Sequence, residues 1–265
     1  MTAIDRHNVT ISGVPGGQPL VFAHGFGCDQ NMWRYVTPAF EDRFQIVTFD
    51  YIGHGGSACR PEELERYGSL DAYADDLLGI CRAMELHDVV LVGHSVSSMI
   101  CVLAATREPE RFAKLVLVAP SPRYIDDEGY TGGFTEADID GLLESLESNY
   151  LGWSSAMAPV IMGNEERPAL GEELEASFCR TDPALARQFA RATFLSDSRE
   201  DLAGVSHPTL VLQCTNDAIA PVSVGEYVRD ALPDGRMVML EATGHCPHLS
   251  APRETIAAMA DFLGA

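Results

Sequence analysis

Val89-Val90-Leu91-Val92-Gly93-His94-Ser95-Val96-Ser97-Ser98-Met99-Ile100 is the stretch on which the fold turns. Its first four residues are an unbroken run of β-branched and aliphatic side chains, which suits a strand buried on both faces in a parallel sheet. The run ends at a glycine, and an apolar helical stretch begins three residues later. A buried strand that turns at once into a helix leaves little room at the corner. Only glycine before the serine and small residues after it allow so close an approach. Ser95 then projects from the apex, with the amide of Val96 and the positive end of the helix facing whatever it attacks. The pattern is G-x-S-x-G with Ser97 in place of the last glycine, an exchange that adds one small group and should leave the turn intact. Gly-x-Ser alone is also an ordinary strand-to-helix turn, so the rest of the chain must decide.

Upstream, Asn8 to Ser12 alternates weakly and reads as an antiparallel edge strand. Leu20 to Ala23 is a second strand, ending in His24-Gly25-Phe26-Gly27, where the Phe26 amide would join that of Val96 as an oxyanion-hole donor. Gln45 to Phe49 is a third, followed by Asp50-Tyr51-Ile52-Gly53-His54. Asp50 and His54 there read as braces of a glycine-rich loop rather than as acid–base or metal-binding groups. Apolar residues from Leu70 to Leu86 have helical spacing. Downstream of the serine come a strand at Lys114 to Ala119, another at Thr209 to Cys214, a helix at Ser223 to Leu232, a last strand at Met237 to Leu240 and a closing helix at Thr255 to Leu263. Strands that alternate with helices call for an α/β fold with a mostly parallel, doubly wound sheet.

The alternation breaks between Ser121 and Ser196. Four amphipathic stripes replace it: Ile139 to Tyr150 behind a helix start at Thr135-Glu136-Ala137-Asp138, Trp153 to Ile161, Leu174 with Phe178, and a helix opened by Asp182-Pro183 that carries Phe189 and Phe194. Residues 1–120 and 197–265 thus form a core, and residues 121–196 a helical lid inserted in it. Phe134, Trp153, Phe178, Phe189 and Phe194, with Ile219 beyond the sixth strand, are expected to roof a small apolar pocket, although each could equally pack the lid itself.

A chain of 265 residues accommodates one such domain, and its formal charge of −21 argues against nucleic acid and anionic membrane as partners. The longest wholly apolar run, Met99 to Ala105, is far shorter than the ~18 residues of a spanning helix, and Met1 to His7 has no apolar signal core. The seven cysteines (28, 59, 81, 101, 179, 214 and 246) include no C-x-x-C pair, which fits free thiols in a cytoplasmic protein. No histidines share a ligand spacing, so no metal and no cofactor is expected.

Ser95, Asp217 and His245 follow one another in the order nucleophile, acid, histidine that an α/β-hydrolase requires. A serine hydroxyl is a weak nucleophile and needs a base within reach. His245 would take its proton, and Asp217, just past a strand end, would fix the imidazole tautomer. His248 is a rival base, but Gly244 gives the loop a reason to present the earlier histidine.

With these residues in place the chain resembles a known family. Gly93 to Ile100, the segments Gly132-Gly133-Phe134, Asn149 to Trp153, Phe178 to Pro183 and Phe194 to Leu202, and Gly244-His245-Cys246-Pro247-His248 are similar to the RsbQ proteins, relatives of the plant strigolactone and karrikin receptors. The resemblance spans nearly the whole chain. It implies an α/β-hydrolase fold with a four-helix lid over an apolar cavity and a small apolar ligand or substrate. It also implies a role either as a regulator acting with a PAS-domain phosphatase or other sensor protein, or as a slow hydrolase of butenolides. A plain metabolic carboxylesterase or carbon–carbon hydrolase with no partner uses the same triad.

Overall fold

The computed structural model describes residues 1–58 and 61–265, so Cys59 lies outside the described residues. A short helix α1 (Ala3–Arg6) precedes β1 (Thr10–Gly13), β2 (Gln18–Ala23) and β3 (Phe44–Thr48). Helix α2 (Leu70–Ala83), β4 (Val89–His94), α3 (Val96–Arg107) and β5 (Phe112–Val118) follow. After the insertion come β6 (Thr209–Asn216), α8 (Val222–Ala231), β7 (Gly235–Thr243), α9 (Pro247–Ser250) and α10 (Pro252–Leu263).

Among the described residues seven strands form one sheet in the order β1-β3-β2-β4-β5-β6-β7. Only β1 runs antiparallel, paired with β3 through Thr10 and Thr48; every other pairing is parallel. The edge strand begins later than the alternation suggests because Asn8 has a left-handed backbone (φ 47°), which no strand tolerates. For the same reason α2 stops at Ala83, ahead of Glu85 with φ 53°.

The strand pleat sorts the apolar runs onto two faces. Val89, Leu91, Leu115, Leu117 and Val211 pack with Tyr73, Leu77 and Ile100 of α2 and α3 on one side. Their neighbours Val90, Val92, Val116, Val118 and Leu212 pack with Trp33, Phe40 and Met259 on the other. Side chains alternate across a strand, so a run with no polar residue must be covered twice. That double cover explains why β4 reads as uniformly apolar.

Four helices stand between β5 and β6: α4 (Glu136–Ser148), α5 (Tyr150–Met162), α6 (Pro168–Arg180) and α7 (Pro183–Phe194). Thr135 and Asp138 form a capping box on α4, and the Asp182 carboxylate accepts from the amides of Ala184 and Leu185 at 2.9 and 3.1 Å to cap α7. Their apolar stripes meet over the carboxyl ends of the strands, where Ile139, Leu146, Trp153, Leu174 and Phe178 pack with Cys28 and Cys246. Ser177 Oγ donates to the Gly27 carbonyl at 2.9 Å and ties α6 to the loop after β2. No helix among the described residues is long and apolar enough to cross a membrane.

Candidate active site

Ser95 sits between β4 and α3 with φ 57° and ψ −125°, a backbone that a non-glycine residue adopts only under constraint from its surroundings. The constraint is visible. The Ser95 amide donates to the Val118 carbonyl at 2.8 Å, and a Cβ at Gly93 would lie 2.4 Å from the Ser97 carbonyl oxygen. Glycine is therefore obligatory before the turn. Ser97, in place of the second glycine, does more than fit: its hydroxyl donates to the His24 carbonyl and lies 3.1 Å from the Tyr51 hydroxyl, tying α3 to β2.

Three distant segments meet at this apex. Ser95 Oγ donates to His245 Nε2 at 2.7 Å, and His245 Nδ1–H donates to Asp217 Oδ2, also at 2.7 Å. The other carboxylate oxygen, Oδ1, accepts from the amides of Ile219 and Ala220 at 2.8 and 3.1 Å, so both sides of the carboxylate are held. Gln213 Nε2 donates to the Ala220 carbonyl at 2.8 Å and braces the same loop from within. Gly244 (φ 87°) turns the chain into His245; a Cβ there would sit 1.8 Å from the Met162 carbonyl oxygen. All three side chains are buried. A hydroxyl, an imidazole and a carboxylate in this relay allow the ring to accept the serine proton while the carboxylate steadies the imidazolium.

Phe26 lines the cavity with Ser95, Val96 follows Ser95 as the first residue of α3, and among the described residues no hydrogen bond runs from either backbone amide to a protein group. Two uncommitted N–H groups at this position can receive an oxyanion. Tyr124 also lines the site, its phenol raised above the ordinary range by burial, against the opposing pull of the Ser95 hydroxyl.

Above the serine lies a cavity of about 30 Å³. Trp153, Phe178, Phe194 and Ile219 line it, as does the Phe26 side chain. Phe26 forms a hub, with ring centroids 5.9 Å from Trp153, 6.0 Å from Phe178 and 6.2 Å from Phe194. Two aromatic residues expected in the pocket are elsewhere. Phe189 is stacked on Tyr73 of α2 (4.3 Å, 24°), because that face of α7 meets the core rather than the site. Phe134 is pinned by backbone hydrogen bonds to Tyr124 and Asp126 and lies outside the lining. In their place stand Tyr124, Ile161, Leu174 and Thr193, together with Cys28 and Cys246. Spacing gave no sign of these: Ile161 and Leu174 lie in stripes that could as well face the core, and the others in none.

Asp50 and His54 behave as braces. Asp50 accepts from the Gln30 amide (2.9 Å), Asn8 Nδ2 (2.7 Å) and the Gly56 amide (2.9 Å), while burial holds the His54 imidazole neutral, with its pKa down at about 3. Six cysteines are free, and of these only Cys179 is exposed. The expectation of no metal grouping is corrected at one place. His94, Cys246 and His248 come together behind the His245 backbone, a meeting of β4 with the segment after β7 that no sequence spacing reveals.

Comparison with known proteins accords with this geometry. A model of the alpha/beta hydrolase family matches residues 20–258. The chain is 39% identical over 249 residues to a karrikin insensitive 2 receptor of Petunia hybrida, covering 94% of this chain and 92% of that one. It is 38% identical over 261 residues to the strigolactone esterase D14 of Arabidopsis thaliana, covering 98% and 96%. Among solved structures, a hydrolase from Oleispira antarctica superimposes with a TM-score of 0.95 at 37% identity, over 99% of this chain and 96% of that one. The protein belongs to the alpha/beta hydrolase family and is an enzyme of esterase type.

Proposed function

We propose that this α/β-hydrolase cleaves a small, largely apolar ester or lactone at Ser95 and works as a ligand-responsive regulator. In this reading Ser95 attacks the acyl carbon, His245 takes its proton and returns it to the leaving oxygen, and Asp217 holds the imidazole. The amides of Phe26 and Val96 receive the oxyanion, and water then releases the acid. The observation that carries the chemistry is the pair of 2.7 Å hydrogen bonds joining Ser95, His245 and Asp217.

The regulatory half rests on different support. Relatives above 35% identity include a karrikin insensitive 2 receptor and a strigolactone esterase. The cavity is roofed by helices α5 to α7, and the inserted segment as a whole is acidic: residues 121–196 hold fourteen acidic against five basic side chains. A roof that encloses its ligand this tightly changes shape when the ligand enters or leaves, and a protein partner such as a sensor phosphatase can read that change.

One experiment tests both halves. Hydrolysis of an aryl acetate and of a butenolide is followed from the first turnover onward, with hydrogen exchange of α4 to α7 recorded alongside. The regulator reading expects slow turnover of the butenolide and exchange in the roof that changes while ligand is bound, with Ser95→Ala inert toward both compounds. Rapid multiple turnover with no change in the roof would identify a metabolic esterase. Hydrolysis undiminished in Ser95→Ala would overturn the site itself.

A further inference from the structure

Behind the His245 backbone, three buried groups with ligand chemistry converge from two segments far apart in sequence. A ring nitrogen of His94, a ring nitrogen of His248 and Cys246 Sγ all lie within 4.8 Å of one another. Their exposures are 2%, 0% and 1%. His94 Nδ1 and both ring nitrogens of His248 have no hydrogen-bond partner among the described residues. Buried polar atoms are nearly always paired, so three unpaired nitrogens in one place are a vacant donor set rather than ordinary packing. A Cβ at position 25 would lie 2.5 Å from His94 Nδ1, so only glycine fits against that ring.

Charge decides which ion fits. A buried imidazole whose ring nitrogens lack partners is neutral, because a charged ring would need both N–H groups paired, so each ring offers a lone pair. Two neutral rings and one thiolate carry a single negative charge. A divalent ion would leave a net positive charge in a fully buried site, whereas a monovalent one leaves none. Imidazole and thiolate donors favour a soft metal. His94 and Cys246 both reach the cavity wall, which gives the ion a route in.

We propose that His94, Cys246 and His248 form a three-coordinate site for Cu⁺, loaded through the cavity. On binding, the Cys246 S–H bond breaks, an S–Cu bond forms and one proton leaves to solvent; no electron changes hands. His94 also donates from Nε2 to the His245 carbonyl at 2.8 Å, so an ion held by this ring bears on the segment that carries the base. The loaded protein is therefore an inhibited hydrolase, a consequence that rests on the role given above to His245, while the binding itself does not.

The test is an anaerobic titration of the whole protein with Cu⁺ in competition with a chromogenic Cu⁺ chelator. It is run in a Cys59→Ser, Cys179→Ser background, so that neither Cys179, the exposed thiol among the described residues, nor Cys59 competes for the ion. We expect one tightly held ion per chain, about one proton released per ion, and a thiolate-to-copper absorption band. Cys246→Ser should abolish the band, and His248→Phe, which keeps an aromatic plate over Trp33, should weaken binding at least tenfold. Ester turnover, referred to each variant's metal-free rate, should fall on loading and return with chelator. Absence of the band in the parent protein would overturn the site without reliance on any variant. So would Cu⁺ binding that survives His248→Phe and is lost only in His245→Ala, which would put the ion on the Ser95 partner instead.

Discussion

The backbone amide of His245 donates to the carbonyl of Ile161 at 2.8 Å, which bonds the loop of the proposed base to the last turn of α5. The preceding amide, of Gly244, donates to the Asn216 carbonyl at 2.7 Å, one residue before Asp217. Asn164 Nδ2 then closes the set with a 2.8 Å bond to the Thr243 carbonyl. Acid loop, base loop and inserted helix are thus laced together through main-chain groups, so a shift of α5 reaches the imidazole without passing through the cavity.

Replacing Ser95 by Ala should lower kcat/KM for an aryl acetate by about 10⁴-fold or more, with the melting temperature unchanged or raised. His245→Ala should cost about as much, because the two act as a unit, and Asp217→Asn somewhat less. Steady-state kinetics with the three purified variants checks this. A near-normal His245→Ala enzyme beside a dead His248→Ala enzyme would mean that the base is the other histidine.

Val96→Ala keeps its amide and should be nearly silent, whereas Val96→Pro removes one oxyanion donor and should cost roughly 3 kcal/mol of transition-state stabilisation. Because proline also disturbs the turn, the decisive measurement is a structure of the Ser95 phosphonate adduct. Its non-bridging oxygen should face the amides of Phe26 and Val96.

Acid should destabilise the fold before any carboxylate titrates. His54 and His248 titrate near 6.5 when unfolded but only at about 3 when folded. Below pH 6.5 the unfolded chain therefore binds protons that the native one refuses. Stability is complete above that pH and falls as pH drops toward 3, by about 1.4 kcal/mol per unit for each such histidine. Between pH 7.5 and 5, urea unfolding of His248→Phe should lose about 2 kcal/mol less than the wild type. Equal losses would show that His248 takes up its proton in the folded state.

Thr193 Oγ1 is buried at the cavity wall with no hydrogen-bond partner among the described residues. Thr193→Val removes that unpaired hydroxyl at nearly constant shape and should stabilise the protein by about 1 kcal/mol, read as a higher melting temperature. A substrate whose polar group docks on this hydroxyl should show a raised KM in the same variant, while a purely apolar ester should not.

What was legible in the sequence follows from how each feature is encoded. The strand ending at Gly93 is written locally, because a doubly covered strand has no polar face and the tight corner admits only small residues. Ser95, Asp217 and His245 were legible through order and position at strand ends. The cavity wall was not. Phe189 and Phe194 lie on the same helix, and only the presence of Tyr73 against α7 decides that one enters the core and the other the site. Tyr124 and Thr193 carry no periodic mark at all. The meeting of His94 with Cys246 and His248 depends on how β4 is placed relative to β7 through β5 and β6, which alternation within a strand does not encode.

The small volume over Ser95 also has a kinetic meaning. A cavity of about 30 Å³ is roughly a tenth of the ~300 Å³ of a small ligand pocket, so an ester of ordinary size enters only as α5 to α7 move apart. Observed affinity is then the intrinsic affinity reduced by the fraction of molecules standing open. With encounter no longer limiting, the rate of complex formation levels off as ligand concentration rises, at the opening frequency of the roof.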